Sequence, residues 1–219
     1  MLGIPRHIWN RLDKTSEKTI EINFLSEIVR SLSPRFIVTI IGPSRTIESE
    51  LGFDAIMAGL PLGFTIAFQF KSPSMRSDGH PRFTLNVAQL QVLLGRFNPS
   101  EAYYVLTPFT RTMDFIRAHR NGDFTRHSTL IDVYNIPFGG KQTQKTRTIK
   151  YISRNNIEIT DPWKYEKVEK VFLFEDIISS ILEERIGKKV PVELDIIKSY
   201  DEERKYGGQN YYLHFTRRG

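Results

Sequence analysis

The residues best suited to chemistry lie in the stretch Leu51 to Pro73, LGFDAIMAGLPLGFTIAFQFKSP. Gln69 and Lys71 are two residues apart on a predicted strand, so their side chains lie on the same face of it. Asp54 stands near the middle of the preceding predicted strand, and a glycine- and proline-containing turn separates the two strands. A carboxylate, an amide oxygen and an ammonium in one patch suit metal-assisted hydrolysis of phosphodiester bonds.

A second interpretation of this stretch requires no metal. Asp54 and Lys71 could form a structural ion pair between neighbouring strands, which contributes little if exposed and is costly if buried. The metal-site interpretation is favoured because Asp, Gln and Lys are unusual inside strands that are otherwise apolar. On the second strand, Thr65 and Ala67 share the face of Gln69, while the alternate residues, which are apolar, line the other face.

The elements that must position this patch begin with a helix predicted over Thr15 to Leu32, where apolar residues recur at helical spacing after capping hydroxyls. Glu21 falls near the centre of the apolar stripe, one turn after Glu17. One explanation is an acidic first turn favoured by the helix dipole, which suits Glu17 better. The other is that Glu21 points into a metal site, and both remain open.

The later segments alternate between strand and helix patterns. Strands are predicted over Arg35 to Ile41, Leu51 to Met57, Phe64 to Lys71, Ala102 to Pro108 and Leu130 to Pro137, and helices over Leu85 to Phe97, Arg111 to Arg120 and part of Glu166 to Gly187. Such alternation predicts an α/β protein with a mixed sheet and helices packed on its faces.

Basic residues concentrate in two segments near the predicted core. The segment Ser72 to Arg82 is rich in turn formers and reads as a mobile loop beside the proposed site, with Arg76 and Arg82 as phosphate ligands. A composition shift at Gly139 opens a basic strand or loop. Its cations are Lys141, Lys145, Arg147, Lys150 and Arg154, and no acidic residue occurs before Glu158. Both segments are expected on the side of Asp54.

Two further features of the sequence each have two possible interpretations. Gln89 interrupts the apolar pattern of its helix and either faces the site or is an ordinary surface glutamine. The end of the chain, KYGGQNYYLHFTRRG, interleaves aromatic and basic residues, which suits an edge strand or base stacking, with the strand preferred.

Composition narrows the function classes. The 219 residues carry a formal net charge of +6, which favours a polyanionic partner. Cysteine is absent, which excludes disulfides, Cys-ligated zinc and thiol nucleophiles. The histidines show no zinc spacing, and the glycines form no phosphate-binding loop. No signal-type or membrane-spanning apolar run is apparent, so a cytoplasmic protein without membrane contact is expected.

The order of these residues resembles the PD-(D/E)xK, or restriction-endonuclease-like, nuclease superfamily. The resemblance covers roughly Glu17 to Pro108 and rests on Glu21 in TIEINFL, Asp54 in LGFDAIM, and Gln69 and Lys71 in AFQFKSP. The sequence departs from the motif at two positions. Phe53 stands where the superfamily's name has proline, and Gln69 stands where an acidic residue is usual. An amide oxygen supplies a metal ligand without the charge, which should weaken binding of Mg²⁺.

The resemblance implies an α-β-β-β-α-β core, a mixed sheet flanked by helices, and Mg²⁺ or Mn²⁺ as cofactor. Asp54, Gln69, the Phe70 carbonyl and Glu21 would hold the metal, and Lys71 would orient the attacking water and stabilise the developing charge. The core is assigned to residues 1–140, and residues 141–219 to a basic α+β extension packed on it. DNA is the favoured partner, and formation of a homodimer is left open. The alternatives are a non-catalytic nucleic-acid-binding protein of the same fold and a protein-interaction module.

Overall fold

The structure is a computed structural model that describes residues 14–41, 54–60, 64–137, 145–161, 164–183, 185–186 and 188–189. These residues form a mixed α/β structure with two sheets and five α-helices, which confirms the α/β class. Within them, no helix combines the length and apolar character needed to cross a membrane.

The helices are α1 (Glu17–Leu32), α2 (Val87–Arg96), α3 (Thr112–Arg120), α4 (Asp123–His127) and α5 (Phe174–Leu182). The longer strands are β1 (Ile37–Ile41), β2 (Ala55–Leu60), β3 (Phe64–Lys71), β5 (Pro81–Asn86), β6 (Ala102–Leu106), β7 (Thr129–Asp132), β8 (Thr146–Ser153), β9 (Asn156–Asp161) and β10 (Lys164–Lys167). The two-residue strands are β4 (Ser74–Met75), β11 (Phe172–Leu173) and β12 (Lys188–Lys189).

The main sheet has the strand order β1-β2-β3-β6-β7-β11, and β12 pairs with the start of β3. Its neighbours are antiparallel except for β3 and β6, which are parallel. Parallel neighbours need a crossover connection, and here β4, β5 and α2 supply it. In the resulting register Gln69 pairs with Tyr104, and Lys71 pairs with Leu106.

One face of the main sheet is covered by α1, α3, α4 and α5. Ser16 caps α1 by accepting a hydrogen bond from the Thr19 backbone N–H at 3.1 Å, and the apolar stripe of α1 then packs on β3. The ring of Phe24 lies 5.8 Å from the rings of both Phe68 and Phe70, measured between centroids. This first core cluster includes Ile20, Phe24, Ile28, Phe68, Phe70, Phe115, Phe124 and Ile177.

The opposite face of the main sheet packs against α2 and the second sheet, whose antiparallel order is β10-β9-β8-β5-β4. The second core cluster includes Ala67, Tyr104 and Leu106 from the main sheet, Leu90 and Leu93 from α2, and Phe83, Leu85, Ile149, Tyr151, Ile157 and Ile159 from the second sheet. The expected alternation along β3 is confirmed for its described side chains, because Ala67 lies in this cluster and Phe68 in the first.

The second sheet is the largest departure from the expected architecture. The segment Ser72 to Arg82, expected as a loop, contains β4 and the start of β5. Phe83 and Leu85 are buried and alternate with partly or fully exposed neighbours, which is the period of a strand, although the sequence prediction began a helix at Leu85. The helix begins later because Asn86 caps α2 by accepting hydrogen bonds from two backbone N–H groups.

Strands on both sides of the boundary proposed after residue 140 belong to the same sheet, since β8 pairs with β5. The boundary itself and Lys141 lie outside the described residues. The expected basic strand after Gly139 corresponds to β8, and the amphipathic helix predicted within Glu166 to Gly187 corresponds to α5. The aromatic and basic C-terminal segment lies outside the described residues.

Candidate functional site

Asp54 stands directly before β2, at the end of the main sheet where β3 finishes. Its backbone N–H donates to the Phe68 carbonyl at 3.0 Å, which continues the β2–β3 pairing in which Ala55 lies opposite Phe68. The sequence had placed Asp54 in the middle of a strand over residues 51–57. The strand instead runs from Ala55 to Leu60, and residues 51–53 lie outside the described ranges. Asp54 still lies beside Gln69, as expected.

The Asp54 carboxylate contacts two consecutive residues of β3. Its Oδ2 accepts hydrogen bonds from Gln69 Nε2 at 2.5 Å and from the Phe70 backbone N–H at 2.6 Å. Gln69 Nε2 also donates to the Phe70 carbonyl at 3.1 Å. The Gln69 amino group therefore bridges two of the oxygens that were expected to bind metal, and the amide presents its nitrogen to Asp54.

The other side of the Gln69 amide contacts α2. Gln69 is almost completely buried, with 1% of its surface exposed, and its Oε1 accepts a hydrogen bond from Gln89 Nε2 at 2.6 Å. Asn86, which caps α2, accepts a hydrogen bond from the Gln89 backbone N–H at 3.3 Å and so helps fix the first turn that carries this side chain. Gln89 thus faces the site and is not a surface glutamine.

Glu21 on α1 is the second carboxylate of the site. Its side chain is largely buried, and Lys18 Nζ lies 2.6 Å from its Oε1. Burial raises the pKa of Glu21, Lys18 opposes that effect, and the negative charge of Asp54 raises the pKa further. Glu21 therefore lies within electrostatic reach of Asp54.

Glu17 has a different position from Glu21. It is exposed, and its Oε1 accepts a hydrogen bond from the Ser72 backbone N–H at 3.2 Å, which joins the first turn of α1 to the residue after β3. Of the two glutamates considered from sequence, Glu21 is the buried one.

Lys71 shares the face of Gln69, two residues further along β3, and is 9% exposed. Among the described residues its ammonium group has no hydrogen bond or ion pair, so the structural pair with Asp54 considered from sequence is not formed. A charged group at the end of a largely buried side chain is stable only where water or an anion contacts it. The arrangement therefore suits an anionic ligand at the end of β3.

Tyr104 is a site residue that the sequence did not single out, since AYYVLTP was recognised only as an apolar strand. It lies beside Gln69 in the β3–β6 register and is fully buried. Its hydroxyl has no hydrogen-bond partner among the described residues. Burial raises the pKa of this phenol, and the nearby charge of Asp54 raises it further. An unpartnered buried hydroxyl beside a carboxylate marks a place for water or another polar ligand.

The residues present fit a hard divalent cation in chemical type. Asp54, Glu21, the Phe70 carbonyl and the Gln69 amide oxygen are all oxygen ligands, which Mg²⁺ prefers. For its oxygen to face Asp54, the Gln69 amide must rotate by a half turn, and the Gln89 amide must rotate with it to keep their hydrogen bond. The described residues contain no group of three His, Cys, Asp or Glu side chains placed to hold a metal ion. A metal ion at this site would therefore be held by only two carboxylates of the described residues, those of Asp54 and Glu21, together with neutral oxygens.

The basic residues predicted from sequence are partly brought together. Arg82 pairs directly with Lys150 between β5 and β8, and both contact Asp78. Arg147 donates a hydrogen bond to the Pro137 carbonyl and is partly buried. Arg76 and Lys145 are exposed.

In comparisons with protein-family models, with curated proteins and with solved structures, nothing matches this chain.

Proposed function

We propose that this chain is a Mg²⁺- or Mn²⁺-dependent nuclease with a restriction-endonuclease-like core that hydrolyses phosphodiester bonds of DNA. The observation that carries the proposal is the convergence of Asp54, Gln69 and the Phe70 carbonyl at the end of β3, beside the largely buried Lys71, which has no ion pair among the described residues. Ion-pairing and capping account for many charged residues elsewhere in this fold, but neither accounts for Lys71.

Each residue has a distinct role in this proposal. Asp54, the Phe70 carbonyl, the Gln69 oxygen and Glu21 would hold the ion, which when bound polarises the phosphoryl group and lowers the pKa of a coordinated water. Lys71 would contact the phosphate and stabilise the negative charge that develops on it. Gln89 would fix the orientation of the Gln69 amide through their hydrogen bond.

One observation favours a second candidate, a non-catalytic nucleic-acid-binding protein of the same fold. The Gln69 amino group already satisfies the oxygens of Asp54 and Phe70 by hydrogen bonding, so these groups have partners without a metal ion. In that case the basic residues would still bind phosphates, while Asp54 and Gln69 would be structural.

A cleavage assay distinguishes the two candidates. Plasmid, linear duplex and single-stranded DNA are incubated with the protein in Mg²⁺, in Mn²⁺ and in chelator. The nuclease proposal expects metal-dependent cleavage that is lost in Asp54→Asn and retained in Asp114→Asn, which makes the same chemical change at an exposed carboxylate on α3. No cleavage in any metal, together with DNA binding in chelator, would support the second candidate.

A further inference from the structure

The outer face of the second sheet carries a cross-strand row of charged residues. Phe83, Ile149 and Ile159 point inward to the second core cluster, so the residues that alternate with them point outward. The pairing registers place five of these outward residues side by side, one from each strand: Ser74, Arg82, Lys150, Glu158 and Lys167. Three of the five are cations.

Arg82 and Lys150 meet at one carboxylate oxygen. Oδ2 of Asp78 lies 2.5 Å from Arg82 Nη2 and 3.6 Å from Lys150 Nζ. Arg82 Nη1 also donates to the Tyr165 hydroxyl at 2.5 Å, and the Arg82 and Lys150 cations lie 5.8 and 5.6 Å from the Tyr165 ring centroid. Tyr165 thereby fixes both cations against the sheet.

Asp78 comes from the short loop between β4 and β5, and the loop's turn directs its carboxylate onto the cations. Gly79 adopts a left-handed conformation with φ of 75°, and its N–H donates to the Arg76 carbonyl at 3.0 Å. Nε of Arg82 is buried and has no hydrogen-bond partner within the described ranges. This N–H of the guanidinium is therefore unsatisfied in the present arrangement.

A carboxylate oxygen shared by an arginine and a lysine is in the position that a phosphate oxygen would take. We infer that the face formed by Arg82, Lys150, Lys167 and Tyr165 binds the phosphate backbone of duplex DNA, and that Asp78 occupies the phosphate position until DNA displaces it. This inference rests on the proposed function only in its choice of DNA as the ligand, because binding at this face does not require cleavage.

The face and the site are close along the backbone, because the chain passes directly from β3 to β4 and β5. Ser74 follows Lys71 by three residues, which span at most about 11 Å between Cα atoms. Ser74 pairs with Arg82, and paired Cα atoms are about 5 Å apart. Over the resulting distance of about 16 Å a duplex carries roughly nine phosphates. The Cα atoms of Lys71 and Arg82 therefore lie within the length of one short duplex.

The experiment measures binding of a fluorescent 20-base-pair duplex by anisotropy, in chelator and over a range of salt concentrations. Asp78→Asn should tighten binding about threefold or more, because two ion pairs no longer compete with phosphate. Lys150→Gln and Arg82→Gln should each weaken binding and reduce the slope of log K against log salt by about one. In the Lys150→Gln background, Asp78→Asn should tighten binding less.

The controls are Asp114→Asn and Arg117→Gln, which make the same changes of charge at an exposed pair on α3, on the opposite face of the main sheet. Equal effects of Asp78→Asn and Asp114→Asn would overturn the inference, because only net charge would then matter. An unchanged salt slope in both Arg82→Gln and Lys150→Gln would also overturn it. Cleavage by these variants in Mg²⁺ tests the proposed function separately, so the failure of one proposal is distinguishable from failure of the other.

Discussion

Gln89 donates a hydrogen bond to Gln69 across the boundary between α2 and β3, with 2.6 Å between Nε2 and Oε1. Because Gln69 in turn donates to Asp54, the three side chains form a chain of hydrogen bonds that fixes which end of the Gln69 amide faces the carboxylate. The choice between metal binding and a metal-free structure is therefore made jointly by two glutamines.

Removal of Gln89 should expose this dependence. Gln89→Ala leaves the buried Gln69 oxygen without its donor and should lower the free energy of unfolding by about 1–3 kcal/mol. Gln69→Met removes the acceptor of this hydrogen bond, so Gln89→Ala should cost appreciably less in that background than in the wild type. Urea unfolding of the two single variants and the double variant in chelator makes the measurement. Equal costs of Gln89→Ala in both backgrounds would show that the glutamine hydrogen bond contributes nothing specific.

Replacement of Gln69 by glutamate should separate its structural and metal-binding roles. Without metal, Gln69→Glu places a second carboxylate where the amide donates to Asp54, so the unfolding temperature in chelator should fall. Mg²⁺ should then raise that temperature more than in the wild type, since an added charged ligand tightens binding. Gln69→Met offers no oxygen, so Mg²⁺ should raise its unfolding temperature less than that of the wild type. An identical response of Gln69→Glu and wild type to Mg²⁺ would exclude residue 69 as a ligand.

The sequence was sufficient to predict an element or a contact where a periodic pattern and a local signal agree. The apolar stripe and capping serine of α1, the alternation along β3 and the proximity of Asp54 to Gln69 were all predictable from local spacing. The β4–β5 hairpin was not, because Phe83 and Leu85 gain their burial from β8, which follows more than sixty residues later in the chain.

Two site features depend on tertiary contacts that no local pattern encodes. Tyr104 reads as one apolar residue among several, and only the parallel pairing of β3 with β6 places its hydroxyl near Asp54. Gln89 was a candidate because it interrupts an apolar helix face. Only the crossover that returns the chain from β3 to β6 places it in contact with Gln69.

Tyr104 provides a test that separates site residues from ordinary core residues. Its hydroxyl is buried without a partner, so Tyr104→Phe should leave the free energy of unfolding unchanged or raise it. Tyr151→Phe should lower it by about 1 kcal/mol, because the Tyr151 hydroxyl donates to the His127 carbonyl at 2.9 Å. We expect cleavage to slow in Tyr104→Phe despite its stability. A clear loss of stability in Tyr104→Phe would argue for a structural hydroxyl.

Asp132, which lies away from the site, should make the stability of the protein depend on pH. Burial raises its pKa above the ordinary value of 3.8, while hydrogen bonds from the Tyr134 and Ser100 N–H groups oppose that rise. The folded state therefore holds this proton more tightly, and the contribution to stability present below 3.8 is lost as pH rises through the folded pKa. The advantage of wild type over Asp132→Asn in chemical unfolding should shrink from pH 4 toward neutrality. An advantage that grows with pH would contradict the raised pKa.

Lys71 allows the strongest separation of catalysis from structure. Lys71→Met keeps the length of a largely buried side chain and removes a charge that has no partner in the described part of the chain, so the free energy of unfolding should stay about the same or rise. Calorimetric titration should show that Mg²⁺ or Mn²⁺ still binds, because the lysine is not a ligand. Cleavage should nevertheless fall by about two orders of magnitude or more, since the charge that stabilises the transition state is lost. Arg117→Gln removes one positive charge from an exposed position and should change none of the three measurements appreciably. If Lys71→Met cleaves DNA as fast as the wild type, Lys71 does not act on the phosphate, and its largely buried position needs a structural explanation.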